Sequence, residues 1–385
     1  RMQRAHYLLG YRGPAYPSVP MLSEPNPPAI EGTIDDVAAK HPELTPALYN
    51  DVKACEKCGK PCAATMASCN ACGSSLGHLP VSKSENVFSA FLLGVQKAKK
   101  GFPYTISLRR QTSDVLIFDD MLALCPCHLN GISAKYYIPD WRFLLTDPPL
   151  ALALLDTMEA ELWAATQAFL QNSGFRSKVF KGDWTDEQLR SKIIRSFNMP
   201  PSQFQLHIQW LLPPLVPFQH YMSEIHNHFH EDRAFPLAYV RKLLELNEPY
   251  PVEKTTPVLD IVQHFSDRVD YKKMWREFYE KAVQDSLELA NWSAEDFQYV
   301  VADGKAYGVE LKDGVVGLGP PAPDADLKAL QEQDKVAFQN YGRPYTEAGK
   351  PTGTYTPMPV QPKLGPGGYE EWPGVAKAWG LQSVL

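Results

Sequence analysis

Two Cys-x-x-Cys pairs, Cys55 with Cys58 and Cys69 with Cys72, are separated by ten residues, and each is followed by a glycine, Gly59 or Gly73. A Cys-x-x-Cys turn aims two sulfurs at one centre. The glycine permits the tight backbone in which amides reach the thiolates. Two such knuckles facing each other make a tetrahedral four-thiolate site, so Cys55, Cys58, Cys69 and Cys72 are expected to hold a structural Zn2+ ion. A closed site of this kind holds a module together and does no chemistry. A redox pair is the weaker alternative, because redox Cys-x-x-Cys motifs usually occur once, at a helix start. Cys62 lies between the pairs and is expected to be a bystander. Five of the seven cysteines fall in this segment, which fits a metal in a reducing compartment better than a disulfide framework.

The second chemically suggestive stretch is Ser202-Gln203-Phe204-Gln205-Leu206-His207-Ile208-Gln209-Trp210. It alternates without a break, so the expected strand carries Gln203, Gln205, His207 and Gln209 on one face. Phe204, Leu206, Ile208 and Trp210 then line the other, against a core. A row of amides flanking one imidazole is unusual for a solvent-facing strand, where charged residues would be expected.

This stretch resembles the active-site strand of the histidine-triad (HIT-like) superfamily, and the cysteine segment resembles a zinc ribbon. Histidine-triad proteins carry His-φ-His-φ-His on a strand. The branch of diadenosine tetraphosphate phosphorylases and galactose-1-phosphate uridylyltransferases has His-x-His-x-Gln, preceded by Ser-Gln or Ser-Asn. On that pattern Ser202 and Gln203 match, His207 takes the nucleophile's place and Gln209 matches the phosphate-contacting glutamine. Gln205 stands where the first His should be. Upstream, SDVLIFDDMLALCPCHLNGISAKYYIPDWRFLL also looks like the family. Two strands, Asp114–Phe118 and His128–Ile132, lead into a helix begun by Asp147-Pro148, an Asp cap with Pro in the first turn. Asp119 and Asp120 fit the family's Asp after the first strand. Ser133-Ala134-Lys135-Tyr136 keeps its Lys but not its Pro or His.

The resemblance covers residues 100–240 and implies nucleotidyl chemistry. A neutral imidazole attacks the α-phosphate, holds the nucleotide covalently and yields it to phosphate or water. His207, Gln209 and Ser202 would be the catalytic set, with Gln203, Gln205, Asp119 and Asp120 contributing to the nucleotide site. Gln205 impairs this set, because the first His helps to hold the nucleophile's ring. A second group, His226-Asn227-His228-Phe229-His230, spells His-x-His-x-His but lacks a preceding Ser-Gln and apolar alternation. Its three histidines, with His220 nearby, could lie on one strand face and bind a metal. The expected reading is polar side chains at a pocket rim, with Arg233 a possible phosphate or carboxylate partner.

The elements that must position these residues form an α+β chain, expected as a HIT-like antiparallel sheet with packed helices, an N-terminal zinc ribbon and a Pro-rich C-terminal extension. Residues 1–49 read as an irregular extension with a short helix near Ile34–Lys40, 50–80 as the ribbon and 86–245 as the HIT-like domain. Residues 246–319 read as a helical segment followed by a β-meander turning at Asp303-Gly304 and Asp313-Gly314. Within that segment Met274, Trp275, Phe278, Tyr279, Ala282 and Val283 recur at helical spacing, a packing stripe with no chemical role. Residues 320–385 are Pro/Gly-rich, with a helix near Asp326–Phe338, and cannot make a core of their own. That tail is expected to lie against the body or against other subunits.

A hydrophobic content of 44% supports a sizeable core, and a net charge of −6 argues against nucleic acid as the main partner. No apolar run is long enough to cross a bilayer. The chain opens on Arg1, which fits either a numbering offset or a mature N-terminus left by removal of a mitochondrial targeting peptide. The expected location is mitochondrial, with the cytoplasm as alternative. The expected function is a zinc-binding, HIT-like accessory subunit of a large assembly. Its end extensions would contact other protein subunits, and its impaired site would retain nucleotide binding. The alternative is an active nucleotidyltransferase or phosphorylase acting on dinucleoside polyphosphates or a sugar nucleotide through His207.

Overall fold

The computed structural model describes residues 6–13, 30–64, 66, 68–69, 73–87, 90, 94–101, 108–120, 123–201, 205–224, 228–313, 315–339 and 372–375. The fold is α+β, built on sheets that are antiparallel but for one short pair. In chain order, β1 (His6–Tyr11) and β2 (Ile30–Thr33) precede α1 (Ile34–Lys40) and α2 (Thr45–Leu48). Thr33 and Asp36 start α1 with a reciprocal capping box, which answers the expected helix. The ribbon sheet follows, β3 (Tyr49–Ala54) flanked by β4 (Pro61–Ala63) and β5 (Ser82–Glu85), and β6 (Val95–Lys97) pairs in parallel with β2.

The body begins with β7 (Leu108–Gln111), β8 (Val115–Asp119) and β9 (Cys127–Ser133). Then come α3 (Pro148–Leu170), α4 (Ser173–Val179), α5 (Asp186–Ser191), β10 (Ile194–Asn198) and β11 (Ile208–Leu212). After α6 (Pro217–Glu224), β12 (Ala234–Pro236) and α7 (Leu237–Glu245) complete the body. The remainder is α8 (Val258–His264), α9 (Tyr271–Leu289), the meander β13 (Phe297–Ala302), β14 (Lys305–Lys312) and β15 (Val315–Pro321), and α10 (Leu327–Gln339).

The body is one antiparallel sheet in the order β12-β10-β11-β9-β8-β7. On one face Ile117, Leu129, Ile208, Trp210 and Leu212 join Leu154, Met158, Leu162 and Phe169 of α3 in the main core. Asp147 caps α3 by accepting from the Leu150 amide (3.1 Å), and Pro148 occupies the first turn, where a missing N–H costs nothing. Trp210 meets its polar requirement inside that core by donating Nε1–H to Thr166 Oγ1 (2.9 Å). The other face is divided. Apolar clusters flank it, Leu108, Leu116, Phe118 and Ile132 on one side and Ile194, Leu211, Leu215 and Ala282 on the other. Between them His128, Asn130 and Gln209 are all buried.

Three expectations need correction. The strand expected over 202–210 is shorter: ladder pairing begins at Ile208, and the Leu206 amide instead donates to the Ile138 carbonyl (2.7 Å). The helical segment after residue 258 is two helices, α8 and α9, with Asp270 starting the second by capping the Lys273 amide. The N-terminal extension is not wholly irregular. β1 joins the meander as the strand beside β13, giving the order β1-β13-β14-β15. Its amides at Gly10 and Tyr11 also donate to Asp334 of α10 (3.0 and 2.7 Å). The turn at Asp303-Gly304 has the positive φ angles such hairpins demand, 52° and 71°. The stripe on α9 packs, as expected: Met274 and Trp275 against the main core, Phe278, Tyr279 and Ala282 against the cluster around Leu211.

Of the tail beyond α10, residues 372–375 lie against the body itself. Trp372 is buried in the main core, donates Nε1–H to the Phe143 carbonyl (2.6 Å) and meets Tyr136 edge-on. Among the described residues, no helix is long and apolar enough to cross a membrane.

Candidate functional site

The cysteine cluster is built by two matching turns. Gly59 N–H donates to the Cys55 carbonyl and Gly73 N–H to the Cys69 carbonyl, both at 2.8 Å, and both glycines sit at φ 72°. Cys55 N–H in turn reaches the Lys60 carbonyl (2.9 Å), and Cys69 N–H the Ser74 carbonyl (2.8 Å). A side chain at either glycine would be strained by the left-handed φ alone, since a Cβ there meets nothing within 4 Å. These turns bring Cys55, Cys58 and Cys69 together with all three sulfurs within 4.8 Å of one another, and Cys58 Sγ lies 3.6 Å from Cys69 Sγ. Three convergent thiols can bind a metal ion. Cys72, the fourth expected ligand, lies outside the described residues. Cys62 is buried beside the cluster with its thiol directed at the Lys60 carbonyl (3.7 Å).

The second cluster lies on the divided face of the body sheet. His207 is buried just ahead of β11, and its Nδ1 lies 2.9 Å from the Gln205 carbonyl oxygen. A carbonyl only accepts, so Nδ1 carries the proton and the ring's in-plane lone pair falls on Nε2. Burial lowers the His207 pKa, against the opposing pull of the Gln205 carbonyl and the Asp120 charge and with help from His128. The ring is therefore neutral near pH 7, the form a nucleophile needs.

Beside it, His128 Nε2 lies 2.6 Å from Gln209 Oε1 and 3.7 Å from Asp120 Oδ2. Asn130, directly across the ladder from Gln209, donates Nδ2–H to Asp120 Oδ2 (2.9 Å). Asp120 also binds β9 through its own amide, which donates to the His128 carbonyl (3.0 Å). The group is thus a buried imidazole, an amide, a second imidazole and a carboxylate, drawn from β9, β11 and the end of β8.

Of the residues expected here, His207, Gln209, Gln205 and Asp120 come together, Gln205 through its backbone carbonyl. Asp119 does not. Successive strand residues face opposite sides, and Asp119 points into the α3 side of the sheet. There it is bound by the buried Arg109 (2.9 and 3.1 Å), whose guanidinium lies 4.7 Å from the Phe169 ring centre. Ser202 and Gln203 lie outside the described residues.

The His-x-His-x-His segment does not form a strand face. Phe229 adopts φ 56°, a left-handed conformation rare for a bulky residue, and turns the chain between His228 and His230. His228 Nε2–H donates to Gln219 Oε1 of α6 (2.6 Å), while His230 is exposed and accepts from the Asp232 amide (3.2 Å). Burial, with the charge of Arg233, depresses His228 to about 4. His226 lies outside the described residues. Among those described, the cysteines are the only group whose atoms converge as metal ligands.

His128 and Asn130 were missed by the sequence reading as site residues. Their signal was present in CHLNGIS, where two polar residues two apart interrupt an otherwise apolar strand. Comparison of the chain with protein-family models, with curated proteins and with solved structures finds no match.

Proposed function

We propose that this chain is a HIT-like protein that binds a nucleotide or related phosphate ester on the divided face of its body sheet, with His207 as nucleophile. The observation that carries the reading is the bond from His207 Nδ1–H to the Gln205 carbonyl (2.9 Å) on a buried, neutral ring. It fixes the tautomer whose Nε2 can form a bond to phosphorus. In that step Nε2 attacks the α-phosphorus, the P–O bond to the leaving phosphate breaks, and the leaving group departs with the electron pair. Water or inorganic phosphate then displaces the nucleotidyl group and regenerates the imidazole. Gln209 supplies amide donation to the phosphoryl oxygens. Dinucleoside polyphosphates and sugar nucleotides are the substrate classes.

Cys55, Cys58 and Cys69 would hold Zn2+, with Cys72 proposed as fourth ligand, since soft thiolates favour it. It organises the ribbon and takes no part in phosphoryl chemistry. A second reading, a zinc-binding accessory subunit whose retired site still holds a nucleotide, is favoured by Gln205. That residue is buried where the resemblance would place an imidazole, and its backbone carbonyl accepts from the nucleophile's ring.

Incubation of the purified chain with labelled diadenosine tetraphosphate and with ATP separates the two readings. An acid-labile nucleotidyl adduct that disappears in His207→Ala, with turnover falling at least about a thousandfold, supports the transferase. Nucleotide binding without adduct or turnover supports the retired site. Absence of binding by the intact, metal-loaded chain overturns both.

A further inference from the structure

We infer that His128 is a positioning residue that fixes which way round the Gln209 amide is held, so that its NH2 group is presented to the phosphoryl oxygens of the ligand. The inference deepens the phosphate-ester reading above and rests on it.

A single chain of hydrogen bonds runs from Leu124 through His128 to Gln209. The Leu124 amide donates to His128 Nδ1 (3.2 Å), so that nitrogen holds a lone pair. Nε2 of the neutral ring must then carry the proton, and it lies 2.6 Å from the Gln209 side-chain amide. Only the carbonyl oxygen of that amide can accept from it. The reversed amide would set an N–H against an N–H across the same short distance. A backbone amide at Leu124 therefore decides, through one imidazole, the orientation of a side chain 81 residues from His128 in sequence.

The strands make the arrangement rigid. In the β9–β11 ladder His128 pairs with Leu211 and Asn130 with Gln209, so His128 and Gln209 are diagonal neighbours on the same face. Both are buried. His207 precedes Gln209 by two residues and interacts with the Asp120 charge, which puts its ring on this face as well. Among the described residues nothing accepts a hydrogen bond from the Gln209 NH2, and the residue as a whole is 7% exposed. The NH2 nitrogen keeps contact with solvent, so a ligand's oxygen can reach it and accept from it there. Two histidines of opposite tautomer flank it: His207 has its proton on Nδ1, and His128 has its proton on Nε2.

The experiment uses the full, metal-loaded chain with ATP as probe and two variants, His128→Phe, which keeps a ring but no nitrogen, and His128→Gln, whose amide nitrogen can still donate to Gln209. Long-range 15N–1H spectra of the histidine rings read the tautomers. Glutamine-selective 15N labelling reads the Gln209 NH2, identified by its loss in Gln209→Glu. The expected result is the Nε2–H tautomer at His128, the Nδ1–H tautomer at His207, and an ATP-induced shift of the Gln209 amide pair. His128→Phe should abolish that shift and weaken ATP binding about tenfold, with His128→Gln within about threefold of the parent. A His128 protonated on Nδ1 at neutral pH overturns the inference, as does unchanged ATP binding and an unchanged Gln209 shift in His128→Phe. If His128 has the stated tautomer but ATP leaves the Gln209 amide unmoved in the parent chain, the nucleotide reading fails while the hydrogen-bond geometry stands.

Discussion

The ribbon and the body sheet solve the same problem, holding polar and reactive side chains in fixed places, by different means. Among its described residues the ribbon buries Cys55, Cys62, Cys69, Leu76 and Leu79, with Met66 against them. Its cysteines are set by local turns, each knuckle closed by bonds spanning a few residues. The body sheet buries a continuous apolar layer from Val115 to Val375 and sets its site by register between strands far apart in sequence. Three convergent thiols beside so small a core could supply the missing stability through a metal, as proposed above, whereas a sheet with a large core can hold a polar network by hydrogen bonds alone. The two regions meet at Asp51 of β3, which receives Lys83 from β5 and Lys254 from a body loop. The contact with Lys254 is the leading cause of the lowered Asp51 pKa, followed by Lys83.

The largest effect is expected from emptying the proposed metal site at Cys55, Cys58 and Cys69. Chelation, or Cys69→Ser, should release the ion and unfold residues 49–85, since structural zinc sites supply on the order of 10 kcal/mol of folding energy. Hydrogen exchange should rise there and stay unchanged in β8, β9 and β11. Loss of protection in both regions would mean that the body also depends on the metal.

A smaller effect tests the body's side. Trp372→Ala removes an indole from the main core together with its bond to the Phe143 carbonyl, and should cost about 3–5 kcal/mol in urea unfolding. A cost under about 1 kcal/mol would show that residues 372–375 are an adornment of the core.

The smallest effects are two opposing pH dependences. His228 is depressed from 6.5 to about 4, so its contribution is present above pH 6.5 and is lost as pH falls toward 4. Asp334 is raised by burial from 3.8 to about 6, against the two backbone bonds that favour its charge. Its contribution is complete below pH 3.8 and is lost as pH rises through 6. Each amounts to on the order of 3 kcal/mol at most. Urea midpoints across this range should lose the acid-side slope in His228→Asn and the opposite slope in Asp334→Asn. Retention of either slope in its variant would assign it to another group.

Much of this was legible in the residues. The paired Cys-x-x-Cys-Gly knuckles announce converging sulfurs, because that turn is closed within a few residues. Asp147-Pro148 announces the start of α3 and Asp303-Gly304 the hairpin, each by the dihedral angles and donors of the residues themselves. Alternation placed Ile208 and Trp210 against the core and Gln209 away from it.

What the sequence could not decide lies wherever two distant segments must agree. β1 is a strand because β13, nearly three hundred residues later, supplies its ladder partners. Asp119 and Asp120 are neighbours of like chemistry, and only the sheet separates them, one to Arg109 and the other to Asn130 and the divided face. His128 becomes Gln209's partner through the β9–β11 register. A turn carries its geometry in its own dihedrals and so can be read locally. A buried hydrogen bond between strands exists only once the core has fixed their register, and that is a property of the packed chain.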